Sequence, residues 1–330
     1  MYGYGYRYNS GLVVSAGGAP IDTTFKMTVD TTKAGSAADT FVLPLRVGTV
    51  NMTVYWGDGN SDLITAYNQA ELTHVYSVGG SYQITLDGSL TAVYFANVGD
   101  KLKLSSIDNW GTNQWTIFAF CFYGCANMVA NYTDTPDTSI CNSFQNQFYG
   151  CTNFNGAVDF DASLVTSLVA MFQLCTNFNQ PINFNCPILG TAANMFQLCT
   201  NFNSTVNLTT TSSLSTTTRM FQQCTNFNSA VTISNTSGVT NMSIMFYLCS
   251  NFDQDISAFQ INSLTNASSM FLSSGFSKTN YDLLLPSWDA YGTSNVPFHA
   301  GTAHYSAGAP TTAHNAMVSR GWTITDGGTP

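Results

Sequence analysis

The sequence predicts a β-rich protein with short helices: an all-strand unit, then a repeat solenoid, then a C-terminal cap. Three observations carry that prediction. One phrase, Met-Phe-x-x-Cys-x-Asn-Phe, returns at a nearly fixed interval between residues 118 and 276. The stretch before it alternates apolar and polar residues by two between turn-rich breaks. The stretch after it changes to helix- and then strand-patterned segments.

The repeat organises the chain. Anchor cysteines stand at Cys125, Cys151, Cys175, Cys199, Cys224 and Cys249, with Ser274 in the seventh place, in steps of 26, 24, 24, 25, 25 and 25 residues. A period of this size marks stacked supersecondary units that bury their apolar sides only against each other. Phe lies three residues before every anchor, from Phe122 to Phe271, and Met171, Met195, Met220, Met245 and Met270 lie four before. Val165, Leu189, Leu214, Val239 and Leu264 lie ten before, and this spacing predicts a short amphipathic helix or helical turn ending near each cysteine.

Beyond the cysteine the period becomes two. Val158, Ile182, Val206, Val231 and Ile256, then Phe160, Phe184, Leu208, Ile233 and Ala258, are expected to point inward from a short strand. Between them Asp159, Asn183, Asn207, Thr232 and Ser257 form an outward polar row, the candidate ligand-binding surface. The corner carries Asn153, Asn177, Asn201, Asn226 and Asn251, expected as a buried amide ladder because Phe follows each of them. With Cys151, Cys175, Cys199, Cys224 and Cys249 they make up the structural repeat ladder.

The phrases MFxxCxNFNxxI and VTNMSIMF closely resemble the repeats of BspA-type leucine-rich-repeat surface proteins, found in bacterial surface proteins and in phage-encoded proteins. The resemblance covers about half the chain. It implies a right-handed leucine-rich-repeat-like solenoid with an adhesive or structural role, and it brings no catalytic residues.

Taken in order, residues 1–22 are rich in Gly, Tyr and Ser and read as an extended arm suited to docking. Residues 23–98 hold the strand patterns FKMTV, FVLPLRV, NMTVYW, SYQITL and AVYFANV. Within them Trp56-Gly57-Asp58-Gly59, His74-Val75-Tyr76 and Gly80-Ser81-Tyr82-Gln83-Ile84-Thr85-Leu86 look like the polycystic-kidney-disease-repeat type of domain. That likeness implies an immunoglobulin-like β-sandwich acting as spacer or adhesion module. Residues 99–117 read as the entry cap of the solenoid, closed by Trp110 and Trp115, and residues 118–276 as about seven repeats. Residues 277–330 form the C-terminal cap: a helix over YDLLLPSW ended by Pro286, a strand near VPFH, a helix over APTTAHNAMVSRG and a strand over WTITDGG.

Composition sets the function class. Only 8% of residues are charged, with a net charge of −9 and nine scattered Lys and Arg, which argues against nucleic acid or an anionic membrane as partner. No run of about 18 apolar residues offers a membrane span. Six of the nine cysteines are in register with the repeat and so face the core as reduced, small hydrophobes. Cys121, Cys141 and Cys186 fall outside the ladder without a metal-ligand pattern. His299 and His304 could meet on a hairpin, but with no adjacent carboxylate or thiol they read as cap histidines. No GxSxG, HExxH, phosphate loop or dinucleotide fingerprint has the context its chemistry needs. Asp159 and Asp161 face Asn183 and Asn185 on the next repeat, so no carboxylate pair is built.

The expectation is therefore a non-enzymatic protein without metal or cofactor. The start lacks the apolar run of a signal peptide, so release as part of a virus particle is the simplest route out of a cell. That makes a virion surface protein, a phage decoration, fibre or tail-associated subunit, the first expectation. Its partners would be other virion proteins or further copies, through residues 1–22, and a host glycan or protein. The alternative is a bacterial cell-surface adhesin or secreted fibre subunit. An ice-binding face is weaker, since only Thr209–Thr211 and Thr216–Thr218 approach the regular rows it needs.

Overall fold

The computed structural model of the chain describes residues 22–329; most of the arm read at 1–22 lies outside them. Among the described residues the protein is β-rich, with two α-helices, both near the C-terminal end. The N-terminal unit contains β1 (Phe25–Asp30), β2 (Thr40–Val42), β3 (Val50–Tyr55), β4 (Ser61–Ile64), β5 (Thr73–Val75), β6 (Ser81–Leu90) and β7 (Leu104–Asn109). One sheet runs β4-β3-β6-β1-β7 and ends on β8 (Val129–Ala130) of the first repeat, while β2 and β5 pair separately. Alternation explains the strands: Phe25, Met27 and Val29 of β1 are buried while Lys26, Thr28 and Asp30 are partly exposed.

The WGDG turn is built around Trp56. Its indole is fully buried, donates from Nε1 to Asp62 at 2.8 Å, and lies under the His74 ring at 4.7 Å. Gly57, at φ 87°, passes so close to Gln83 that a Cβ would stand 2.5 Å from its carbonyl oxygen, so glycine is required there. The AVYFANV stretch is not a strand, contrary to its pattern. Only Val93 makes a bridge, to Leu45, and Ala96 and Asn97 turn the chain at φ 48° and 66°.

β7 pairs antiparallel with β1 and parallel with β8, so the residues 99–117 that read as an entry cap carry the sheet from the N-terminal unit into the repeats. Trp110 and Trp115 are fully buried there. Asp108 ties the junction: its carboxylate accepts from Thr28 and Ser106 at 2.6 Å each, Gln83 at 3.0 Å and Asn131 at 3.1 Å.

The repeats contain no helix, and the helical reading of their cysteine-proximal segments is corrected. Successive β-turns stand there instead: in one repeat Met171 N–H donates to Leu168 O at 3.2 Å and Cys175 N–H to Phe172 O at 2.9 Å. Each turn is closed by a left-handed residue, Ala170 at φ 53° and Leu174 at φ 64° in that repeat. Two turns in tandem return side chains to the core every three to four residues, which imitates helical spacing in the sequence. Their alternate N–H groups donate along the stack, as Phe172 to Met195 O at 2.9 Å and Phe196 to Met220 O at 2.8 Å.

Further along each unit β9 (Ile182–Asn185), β10 (Val206–Thr209) and β11 (Val231–Ile233) pair parallel and in register. Two phenylalanine columns fill the core between turns and strands. Phe172 and Phe196 are 5.6 Å apart at 8°, Phe178 and Phe202 5.9 Å apart at 6°, and Phe172 and Phe178 touch across the columns at 4.1 Å. Ala258 is exposed and Phe259 buried instead, because residues 257 and 258 form a turn where the repeat pattern predicts a strand.

The C-terminal residues continue the ladder. α1 (Lys278–Asp289) is capped by Ser277, whose side chain accepts from Asn280 N–H, and it contains Pro286 rather than ending there. Burial of Leu284, Leu285 and Trp288 holds the last turn against the stack despite the missing N–H. β12 (Pro297–His299) bridges Ala267 in parallel and accepts from Phe271 N–H at His299 O, 3.0 Å. α2 (Ala309–Ser319) packs on α1, and β13 (Thr323–Thr325) pairs parallel with β12.

Candidate functional site

The outward row of the strand face divides in two. Asn183, Asn207 and Thr232 are direct partners across β9, β10 and β11. Asn183 and Thr232 are exposed and Asn207 is half-buried. Asp159 is exposed but outside any strand, and Ser257 lies in a turn where its N–H donates to Asp255 at 2.8 Å and its carbonyl accepts from Ser287 at 2.7 Å. A shallow cavity of about 250 Å³ adjoins Thr232 and is lined by Val231, Ile233, Gln254, Asp255 and Phe259.

The corner asparagines Asn153, Asn177, Asn201, Asn226 and Asn251 are exposed, not buried. The backbone explains why for four of them: the N–H groups of Asn153, Asn177, Asn201 and Asn226 donate to the preceding repeat, as Asn177 to Thr152 O at 3.2 Å, and are paired without the side-chain amides. Side-chain contacts among them are long, Asn201 Nδ2 to Asn177 Oδ1 and Asn226 Nδ2 to Asn201 Oδ1 both at 3.4 Å.

A second asparagine ladder does the work expected of the first. Asn155, Asn179, Asn203 and Asn228 each accept, at 2.8 Å, the backbone N–H of the residue one repeat on, and Asp253 accepts from Ser277 at 2.9 Å. Their regular place two residues after the corner was the available signal. A shorter glutamine ladder, Gln173 to Gln197 to Gln222 at 2.7 and 2.8 Å, runs on the turn side.

All nine cysteines are buried and free. Cys151, Cys175, Cys199, Cys224 and Cys249 each donate from Sγ to a phenylalanine carbonyl of the repeat before, at 2.8–3.0 Å. Burial pushes the thiols of Cys141 and Cys186 up to about 12, and the ladder thiols are raised for the same reason. Such thiols are poor nucleophiles and poor metal ligands.

The titratable groups of the N-terminal unit and cap are held in structural bonds. His74 Nε2 stands 2.8 Å from Asp58, and Asn60 donates to the same carboxylate; burial works to raise the Asp58 pKa, but these bonds hold it below the usual range. Lys103 is fully buried and donates to Ser36, Ala37 and Thr40, with Asp100 at 3.9 Å. His314 faces Asp326 at 3.3 Å, which also accepts from Tyr281 at 2.6 Å. His299 accepts from Gly301 N–H and His304 pairs with Gly328 O, so the two do not converge on a common point. Among the described residues no group of three or more His, Cys, Asp or Glu could hold a metal ion. Among the described residues no helix is long and apolar enough to cross a membrane. A cavity of about 650 Å³ lies between β6 and the entry segment and has Asp87 as its one charged lining residue. The geometry offers a long polar surface on an apolar spine.

Three overlapping stretches of the chain, residues 90–208, 116–232 and 191–298, match one family, described as "Mycoplasma protein of unknown function, DUF285". No curated protein and no solved structure matches the chain. The repeated match fits a protein of the BspA-type repeat class, and it begins within the N-terminal unit at the last residue of β6 and runs into the cap. Because the matches together span well over half of the sequence, the chain belongs to the DUF285 family.

Proposed function

We propose that the protein is a non-enzymatic structural and surface protein whose repeats form a right-handed leucine-rich-repeat-like solenoid presenting a polar face for contacts with a host or with a particle. The N-terminal unit acts in this reading as an immunoglobulin-like spacer of the polycystic-kidney-disease-repeat type. The observation that carries it is the in-register row Asn183–Asn207–Thr232, set on three parallel strands over a largely apolar core. Such a row offers amide and hydroxyl groups at about 4.8 Å intervals, which suits a glycan or a protein strand. The setting we propose is the surface of a virion, most simply a phage, where the partners are other particle proteins, further copies of the chain and a host glycan or protein.

A cell-surface adhesin or secreted fibre subunit is the second reading, favoured by the description of the family as Mycoplasma proteins. The test is to band a producing culture on a density gradient and locate the chain by mass spectrometry. Stoichiometric co-migration with nucleic-acid-containing particles is the expected result. Recovery in washed envelopes or free filaments would replace the virion with the cell surface.

A further inference from the structure

The repeat sheet ends at β11, which has β10 on one side and, among the described residues, no strand on the other. Each earlier strand bonds the rung ahead through its inward residues: Ile182 N–H donates to Thr205 O at 3.0 Å and Val206 N–H to Ala230 O at 3.1 Å. In a parallel ladder the main-chain groups of successive residues turn to opposite neighbours, so those of Val231 and Ile233 face away from β10. The same pattern, carried one rung further, would send Val231 N–H to Asp255 O. Among the described residues neither the N–H nor the C=O of Val231 or Ile233 has a hydrogen-bond partner on that side. Ile233 is only 7% exposed, so leaving its main-chain groups unpaired is costly.

The next rung is tied to β11's rung on both flanks but leaves a gap between. Asn228 accepts Asp253 N–H at 2.8 Å on one flank, and Thr236 accepts Gln260 N–H at 2.6 Å on the other. Between those ties the chain makes a turn instead of a strand, closed by Phe259 N–H to Ile256 O at 3.0 Å. Ser287 of α1 fixes that turn by donating to Ser257 O at 2.7 Å. What remains is the cavity of about 250 Å³ beside Thr232, a window as long as the three residues of β11, or about 10 Å. Thr232, Asp255 and Ala258 at its rim are exposed, so the window opens to solvent.

Unpaired donors and acceptors alternating at strand spacing are complementary to one chemical group, the main chain of another extended segment. The rim adds a charge. Asp255 is the one charged residue lining the window, and one of its carboxylate oxygens accepts from Ser257 N–H. We propose that the β11 edge binds an extended segment of a partner protein by strand addition, its main chain paired with Val231 and Ile233 and a Lys or Arg of it set against Asp255. The site uses the edge of the sheet and not the outward side chains of Asn183 and Asn207, so its failure would leave that row untouched. It serves a virion protein and a cell-surface protein alike.

The test is fluorescence anisotropy of the full chain with one labelled probe, the amidated peptide Lys-Thr-Val-Thr-Val-Thr. Saturable one-to-one binding is expected below millimolar peptide. N-methylation of one alternate set of peptide nitrogens should abolish binding and of the other set leave it intact, a pattern that main-chain pairing on a single edge produces. Val231→Pro removes an N–H that β10 does not use, so the melting temperature should hold while binding falls about tenfold. Should that variant unfold, the N-methyl pattern still decides. Asp255→Asn should weaken binding about threefold. No saturable binding, as when water alone fills the window, would overturn the proposal, and so would equal loss from both N-methyl sets. Self-association of the chain that Val231→Pro abolishes would give the edge to a second copy and overturn it too.

Discussion

The thiol of Cys199 donates to the carbonyl oxygen of Phe172, 2.8 Å away and one repeat upstream. That carbonyl already closes a turn in its own repeat by accepting from Cys175 N–H at 2.9 Å, so one oxygen joins two rungs. The cysteine row is thus a set of buried staples that need the thiol form. In the native protein none of the nine thiols is expected to react with iodoacetamide under conditions that alkylate all nine in guanidinium chloride. The burial of every thiol and the raised pKa values give that expectation, and intact mass checks it.

Gln147 is fully buried in the place that methionine takes in the next five repeats, and neither its Nε2 nor its Oε1 has a partner. A buried unpaired amide costs about 1–3 kcal/mol. Gln147→Met should therefore raise the stability of the chain by about 1–3 kcal/mol, read as a higher urea midpoint at unchanged slope. A lower midpoint would mean that the amide is paired in solution.

The left-handed turn positions give a pair of opposite substitutions. Gly150 has φ 71°, and a Cβ there would meet nothing nearer than Gly124 Cα at 3.8 Å, so Gly150→Ala costs conformation alone, about 1 kcal/mol. Gln223 holds the equivalent place at φ 61°. Gln223→Gly should stabilise by about 0.5 kcal/mol, the left-handed strain relieved less the added freedom of the unfolded chain. Thermal unfolding of the two variants should shift in opposite directions.

Acid should loosen the junction between the N-terminal unit and the repeats. Burial acts to raise the pKa of Asp108, but hydrogen bonds from Ser106, Thr28, Gln83 and Asn131 outweigh it and set the net shift downward. A carboxyl with a folded pKa below its unfolded value stabilises the fold above that unfolded value, near 3.8, and loses this contribution as pH falls through the folded pKa. The urea midpoint should be level from pH 7 to about 5 and fall below about 4. Asp108→Asn should lower stability at pH 7 by about 2 kcal/mol and flatten the acid limb.

The strand row is tested by replacing Asn183, Asn207 and Thr232 together with alanine. Their side chains project from β9, β10 and β11 over a core they do not enter, so the melting temperature should move by only a few degrees. Binding to envelopes of the host should fall at least tenfold. Unchanged binding would remove the row from the proposed contact surface.

Much of the stack could be read from the residues because every rung repeats the same solution. The Phe, Met and Cys offsets identified the core side, and Ile182, Phe184, Val206 and Leu208 point inward as their alternation predicts. What misled was local. Tandem turns such as Leu168–Met171 and Phe172–Cys175 place side chains inward at nearly helical intervals, and periodicity cannot separate the two. The left-handed residues that could have separated them are Leu174, Leu198 and Ile244, types that do not announce such a conformation. Of the two asparagines in Asn-Phe-Asn, either could have served the backbone; only register decides that Asn179 does and Asn177 does not. The proposed contact row was visible as outward alternation, but Ser257 falls off it because it stands in a turn, not a strand, before Phe259.

The hydrogen bonds that join rungs, such as Phe172 to Met195 and Phe196 to Met220, run along the stack from the N-terminal sheet to β12. A tether pulling on the two ends would load those bonds in tension, one rung at a time, rather than in shear. The chain should then pay out as a brake: each rupture frees about 25 residues, roughly 85 Å of extended length, while the rungs behind it keep their grip.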